Sequence, residues 1–253
     1  MTTNDFGQRV GRSVEWTAAR RPARTPLVGR GVALEPVGDQ HVDDLLAALC
    51  RPEDEALWTY LPWERPRERG ELAEILGRAA GNPDQVTYAI VPLETGRAAG
   101  FCSLMRIDPG MGSIEVGGIA LGRQLQRSRA ATEAMALLMR HAFDDLGYRR
   151  YEWKCDSLNA PSRRAAIRLG FVWEGRFRNA VVLKGRNRDT DWFSVVDREW
   201  PRVRRALEEW LDDRNFDAAG RQRVRLAARA VTRPADAGST GGPTDTDKQH
   251  EEQ

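Results

Sequence analysis

The 253-residue chain is poor in cysteine, histidine and lysine, and each scarcity removes a class of chemistry. Cys50, Cys102 and Cys155 are far apart and share no CxxC spacing, so they read as reduced, small apolar residues. His41, His141 and His250 form no ligand pattern with them, and no metal is expected. With only Lys154, Lys184 and Lys248 as lysines, arginine carries nearly all the positive charge. The 39 basic residues stand against 37 acidic ones, and a net charge of +2 announces neither DNA nor a membrane surface. No run approaches the ~18 apolar residues of a membrane span. Residues 1–25 hold no apolar stretch of the signal-peptide kind, so a cytoplasmic protein is expected. There is no internal repeat, and the G-x-S-x-G elbow of a serine hydrolase is missing.

A hydrophobic share of 41% supports a core and a charged share of 30% suits a soluble surface, so one domain with tails is the expectation. Residues 113–120 (SIEVGGIA) alternate and are rich in Ile and Val, the pattern of a buried strand. After the polar turn LGRQLQRS, a helix is predicted from Ala131, Ala134, Met135, Leu138, Met139, Ala142, Phe143 and Leu146. Its opposite face carries Thr132, Glu133, Arg140, His141, Asp144 and Asp145, and Gly147 closes it. A second strand follows at 149–156 (RRYEWKCD), which makes a βαβ unit with parallel strands and a right-handed crossover.

Upstream, 27–37 reads as a strand, and Asp39 caps a short helix bearing Val42, Leu45, Leu46 and Leu49. An aromatic stretch, EALWTYLPWERP (55–66), precedes a second helix at 67–80. Strands at 86–93 and 98–107 meet at the turn ETGR and lead into the central strand. Downstream, Asn159 and Pro161 start a helix that ends at Gly170. Strands at 171–182 and 189–200 flank a charged turn, KGRNR, and Pro201 opens a last helix with Val203, Leu207 and Trp210. The predicted architecture is α/β: a mixed sheet with helices on both faces, in a domain spanning 26–213. Residues 1–25 form an arm with Trp16 as its anchor. Residues 214–253 hold a predicted helix at 217–233, with Arg221, Arg223, Arg225, Arg229 and Arg233, and a disordered final twenty.

The first turn of a helix carries unpaired N–H groups and the positive end of the dipole, and therefore suits an anion. Gln126, Arg127, Ser128 and Arg129 surround that turn here, so a pyrophosphate is a natural guest. The same residues equally suit a solvated loop capped by Ser128. Trp58, Tyr60 and Trp63 are too aromatic for a plain solvent loop and suit either core packing or a pocket wall.

QRSRAATEA (126–134) resembles motif A, Q/R-x-x-G-x-G/A, of the GNAT acyl-CoA N-acetyltransferases. NAPSRRAAIRLGFVWEG (159–175) resembles the Asn-x-x-Ser…Leu-Gly-Phe…Glu-Gly segment of their RimJ/RimL-like branch, which acetylates protein N-termini and various small amines. The resemblance implies a GNAT-type fold whose splayed parallel strands hold acetyl-CoA, without a metal. Pyrophosphate would rest on the N–H groups of Gln126, Arg127, Ser128, Arg129, Ala130 and Ala131. The pantetheine arm would use backbone groups of Ile119 and Leu121, with Asn159 as a further partner. Glu115 would be the general base and Ser162 the acid, because the family's tyrosine position is Ala166 here. Some relatives carry a carboxylate where this chain has Val181. N–H groups of residues 116–118 would hold the oxyanion, and Trp58, Tyr60 and Trp63 would flank the acceptor.

Arg127 and Arg129 stand where the family favours glycine, so the turn is expected to avoid the left-handed region and to offer its guanidinium groups to phosphate. The blander roles are an exposed strand glutamate for Glu115 and helix caps for Asn159 and Ser162. A CoA-binding sensor without turnover, and a ribosome- or tRNA-associated transferase gripping RNA through 221–233, are the alternative functions. A homodimer is left open.

Overall fold

The computed structural model describes residues 2–226 and 228. Its main sheet has eight strands: β1 (Leu27–Val28), β2 (Val32–Pro36), β3 (Val86–Pro92), β4 (Gly100–Asp108), β5 (Ser113–Leu121), β6 (Arg150–Asp156), β7 (Val172–Leu183) and β8 (Arg186–Val196). Their spatial order is β1-β2-β3-β4-β5-β6-β8-β7, and every pairing is antiparallel except that of β5 with β6. The helices are α1 (Val42–Leu49), α2 (Arg69–Gly81), α3 (Arg129–Arg140), α4 (Ala160–Arg168) and α5 (Trp200–Leu211). This is the mixed α/β sheet that the sequence predicts.

Alternation along each strand decides what each face receives. On one face Ile114, Val116, Tyr151, Trp153, Phe193 and Val195 share a core with Ala134, Leu138 and Met139 of α3 and Val203 and Leu207 of α5. On the other, Ala33, Ala89, Val91 and Phe101 pack with Leu45 and Leu49 of α1, Leu72 and Leu76 of α2, and Trp58. That second core stops short of β6 and β8. There the register opposes Glu115 to Glu152, Glu152 to Ser194 and Lys154 to Trp192, so the uncovered half of this face is polar.

Several elements differ from expectation for identifiable reasons. The stretch 27–37 is two strands, because the chain turns at residues 29–31 and the N–H groups of Arg30 and Gly31 donate to the Glu133 carboxylate of α3. Glu133 is therefore buried, although helical spacing placed it on the solvent face. Asp39 caps nothing: Gly38 holds the cap position, and the Asp39 carboxylate pairs with Arg69 at 2.8 Å. The β7–β8 turn is only Lys184-Gly185, both at positive φ (49° and 70°), as a two-residue hairpin of this hand requires. Arg186, Asn187 and Arg188 consequently lie in the strand.

Residues 217–226 are not helical: Phe216 bridges to Gln222, and Asp217 pairs with Arg221 at 2.8 Å. Arg229, Arg233 and the final twenty residues fall outside the described ones. α3 runs into one π turn (His141–Asp145), after which Gly147, at φ +81°, turns the chain toward β6. In the arm, Thr2–Thr3 pairs with Arg9–Val10, and Trp16 Nε1 donates to the Gly110 carbonyl at 2.7 Å.

Candidate active site

β5 and β6 pair from Ser113 with Arg150 to Val116 with Trp153, and then part. Gly118, at φ +56°, lies beside a register shift against β4, so β5 bends just where its parallel neighbour leaves it. The fork opens at the carboxyl ends of two parallel strands, where open α/β sheets receive ligands. β5 leads through residues 122–128 straight into α3, which sets the helix start beside this opening.

Ser128 caps α3: its Oγ accepts from the Ala131 N–H at 3.0 Å and donates to the Leu125 carbonyl at 2.8 Å. The capped-loop role is thus present, yet it leaves capacity for an anion. Among the described residues no backbone acceptor takes the N–H groups of Arg127, Arg129 or Ala130. Ala131 is buried against the core, and the Gln126 amide donates to the Leu121 carbonyl at 3.0 Å, bracing the turn. Ile119 and Leu121 are half-buried.

The two arginines depart from expectation in opposite ways. Arg127 does enter the left-handed region, at φ +60°, where a non-glycine residue costs about 1–2 kcal/mol. Its side chain is exposed, with no partner among the described residues. Arg129 keeps to the helix, but its guanidinium is not offered to a phosphate. It donates to the Leu211 carbonyl and to Asp213, and covers the Phe216 ring at 4.5 Å. The carbonyl end of α5 and a carboxylate offer a cation more than open solvent does.

Glu115 is only 5% exposed, which removes the exposed-glutamate role. Lys154 Nζ lies 2.8 Å and Arg106 Nε 3.0 Å from its carboxylate. Lys154 also reaches Glu152 at 2.8 Å and stands 3.7 Å above the Trp192 ring. Burial pushes the Glu115 carboxyl above the usual range, against the hydrogen bond and charge of Lys154 and the charge of Arg106. Burial acts on Glu152 too, but hydrogen bonds from Lys154 and Arg150 hold it below the usual range.

At the start of α4, Asn159 Oδ1 accepts the Ser162 N–H at 3.0 Å, so Asn159 is the helix cap and its amide hydrogens stay available. Ser162 is no cap: its Oγ accepts from Trp153 Nε1 at 3.0 Å, which leaves its own O–H to act as a donor toward sulfur. The hydroxyl faces the Cys155 thiol, which burial pushes up and the Ser162 hydrogen bond pulls back. Ala166 is fully buried, and Val181 sits exposed on the β7–β8 hairpin.

Among the aromatic candidates, Trp58 is 1% exposed and donates to the Leu49 carbonyl at 2.9 Å, so it belongs to the core between α1 and α2 and not to an open wall. Tyr60 and Trp63 are half-buried. The Tyr60 hydroxyl donates to the Leu158 carbonyl at 3.2 Å, and Lys184 at the hairpin tip donates to the Trp58 carbonyl at 2.8 Å. Sequence reasoning missed Arg106, Glu152 and Lys154. Strand alternation in RRYEWKCD was the available signal, because Glu152, Lys154 and Asp156 share one face between apolar neighbours.

The family profile described as Acetyltransferase (GNAT) domain matches residues 32–172, more than half of the chain. A crystal structure of a GCN5-related N-acetyltransferase from Brucella melitensis is 47% identical, covers 84% of this chain and 96% of its own, and superposes with a TM-score of 0.82. A Bacillus licheniformis protein named as an N-acetyltransferase, p20, is 34% identical over 113 residues, 45% of this chain and 63% of that relative, so the chain spans under two thirds of its length. The Bacillus subtilis (strain 168) protein provisionally named ribosomal N-acetyltransferase YdaF is 28% identical over 142 residues, 56% of this chain and 72% of that one. The chain belongs to the GNAT family of acetyltransferases.

Proposed function

We propose that this protein moves an acetyl group from acetyl-CoA to a primary amine by direct attack, with both substrates bound together. The observation that carries the reading is the fork: parallel pairing ends at Val116 and Trp153, and the chain leaving β5 delivers three unclaimed N–H groups at the start of α3. Those groups, at Arg127, Arg129 and Ala130, with Gln126, Ser128 and Ala131 around them, would hold the pyrophosphate. Backbone groups of Ile119 and Leu121 and the Asn159 amide would line the pantetheine arm. Acetyl-CoA supplies the activated acyl group and a thiol leaving group.

The remaining chemistry belongs to the chain. Glu115 takes the proton of the amine, directly or through water, and a carboxyl raised by burial is suited to that task. N–H groups of residues 116–118 would face the oxyanion, and the Ser162 hydroxyl would donate a hydrogen bond to the departing thiolate, which takes the second proton of the amine nitrogen as the tetrahedral intermediate collapses. A protein N-terminus is the leading acceptor, and a small-molecule amine the next. An α-amine, with pKa about 7.7–8.0, sheds its proton near neutrality far more readily than a lysine at about 10.4. The name of the Bacillus subtilis relative, a ribosomal N-acetyltransferase, supports a protein acceptor and the RimJ/RimL-like branch. Thiol release from acetyl-CoA over peptides with free or blocked N-termini and over small amines tests it. Release that depends on a free N-terminus supports the reading. Binding of acetyl-CoA without release from any amine would leave a sensor protein instead.

A further inference from the structure

Around β6 and β8 nearly every buried carboxylate is matched to cations. Glu115 pairs with Lys154 and Arg106, Glu152 with Lys154 and Arg150, and Asp191 with Arg163 and Arg176. Asp156, the last residue of β6, is the exception. It is 8% exposed, and the one hydrogen bond to its carboxylate comes from the Leu158 N–H at 2.8 Å. Among the described residues no cation comes within ion-pairing distance of it. Arg176 is near enough to feel its charge, but its hydrogen bonds go to both oxygens of Asp191. A carboxylate buried without a counter-charge is costly, and one arriving with a ligand removes that cost.

A second, independent feature marks the same place. The register sets Thr190 of β8 directly opposite Asp156, and facing residues of an antiparallel pair share a side of the sheet. Thr190 is 5% exposed, and its hydroxyl oxygen has no hydrogen-bond partner. Two residues earlier on β8, the Nε of Arg188 is likewise buried and unpartnered. The Tyr60 contact with the Leu158 carbonyl brings the aromatic loop to this same end of β6. A carboxylate without a counter-charge and an unmatched hydroxyl thus share the polar face beyond the point where β5 and β6 part, with a buried unpartnered donor two residues along β8.

We propose that Asp156 and Thr190 receive the ammonium end of the acceptor before it loses its proton. The Asp156 carboxylate supplies the counter-charge, and the Thr190 oxygen accepts a second N–H. Arg188 Nε is a donor suited to an oxygen near that amine, such as the first carbonyl of a peptide, which favours an N-terminal α-amine over a plain alkylamine. This rests on the amine-acetylation reading and adds to it the residues that select the acceptor and hold its ammonium form before the amine advances along the strand toward the reacting centre.

The test is Asp156→Asn, which keeps the oxygen that accepts from Leu158 and therefore the turn, while removing the charge. Thiol release is followed with Ala- and Ser-initiated tripeptides and with propylamine, and acetyl-CoA binding by calorimetry. The expected result is a rise of roughly 10- to 100-fold in KM for the tripeptides, with acetyl-CoA affinity unchanged. Thr190→Val should raise the same KM by roughly three- to tenfold. An unchanged KM in Asp156→Asn, while the unaltered protein turns over, overturns the assignment. An equal loss of acetyl-CoA affinity also overturns it, because the residue then serves the other substrate. Acetyl-CoA binding without turnover by the unaltered protein removes the acetyltransferase reading itself, and this inference with it.

Discussion

Two arginines two positions apart do different physical work in one turn. Arg129 is anchored to Leu211, Asp213 and Phe216, so its loss loosens the junction between α3 and α5. Arg129→Ala is expected to lower stability by about 1 kcal/mol in urea unfolding. It should leave the salt dependence of acetyl-CoA binding as it was. Arg127, exposed beside the unclaimed N–H groups, has no such tie, and Arg127→Ala is expected to flatten that salt dependence. Calorimetric titrations at low and high salt separate the two. Glu115 makes a prediction of its own. Its carboxyl is raised in the folded protein, so its contribution favours folding below its ordinary value of 4.5 and is lost as pH climbs through the folded value. Glu115→Gln is expected to flatten the decline in stability from pH 4.5 upward, read from urea midpoints across the pH range.

At the scale of elements, the join between the β1–β2 turn and α3 rests on a single carboxylate. Glu133→Ala strands the N–H groups of Arg30 and Gly31 and is expected to cost about 1–3 kcal/mol, measurable by chemical unfolding. That carboxylate also explains where sequence reasoning succeeded and where it stopped. Period and turn chemistry located β5, α3 and β6, because alternation, 3.6-residue spacing and Gly147 are local signals. They could not show that Glu133 faces inward, because its acceptor role depends on a turn a hundred residues away. Trp58 failed as a pocket wall for the same kind of reason: an aromatic residue looks alike in a core and in a cleft until α1 and α2 are placed. Among the site candidates, Asn159 and Ser162 were legible as a pair, but which one caps α4 and which one turns its hydroxyl away from the helix end depends on Trp153 reaching across from β6.

Across the whole molecule, the two faces of the sheet are covered unequally. α3 and α5 cover one side, while α1 and α2 cover only part of the other and leave Glu115, Lys154, Asp156 and Thr190 on the remainder. In the proposed reaction the fork between β5 and β6 would be the place where the two sides communicate. A nucleotide thioester arriving by the α3 side and an amine arriving by the polar side would use separate doors to one room. Neither needs to vacate for its counterpart to come in, so double-reciprocal rate plots should intersect rather than run parallel. Product CoA should compete with acetyl-CoA while leaving the doorway of the amine unobstructed.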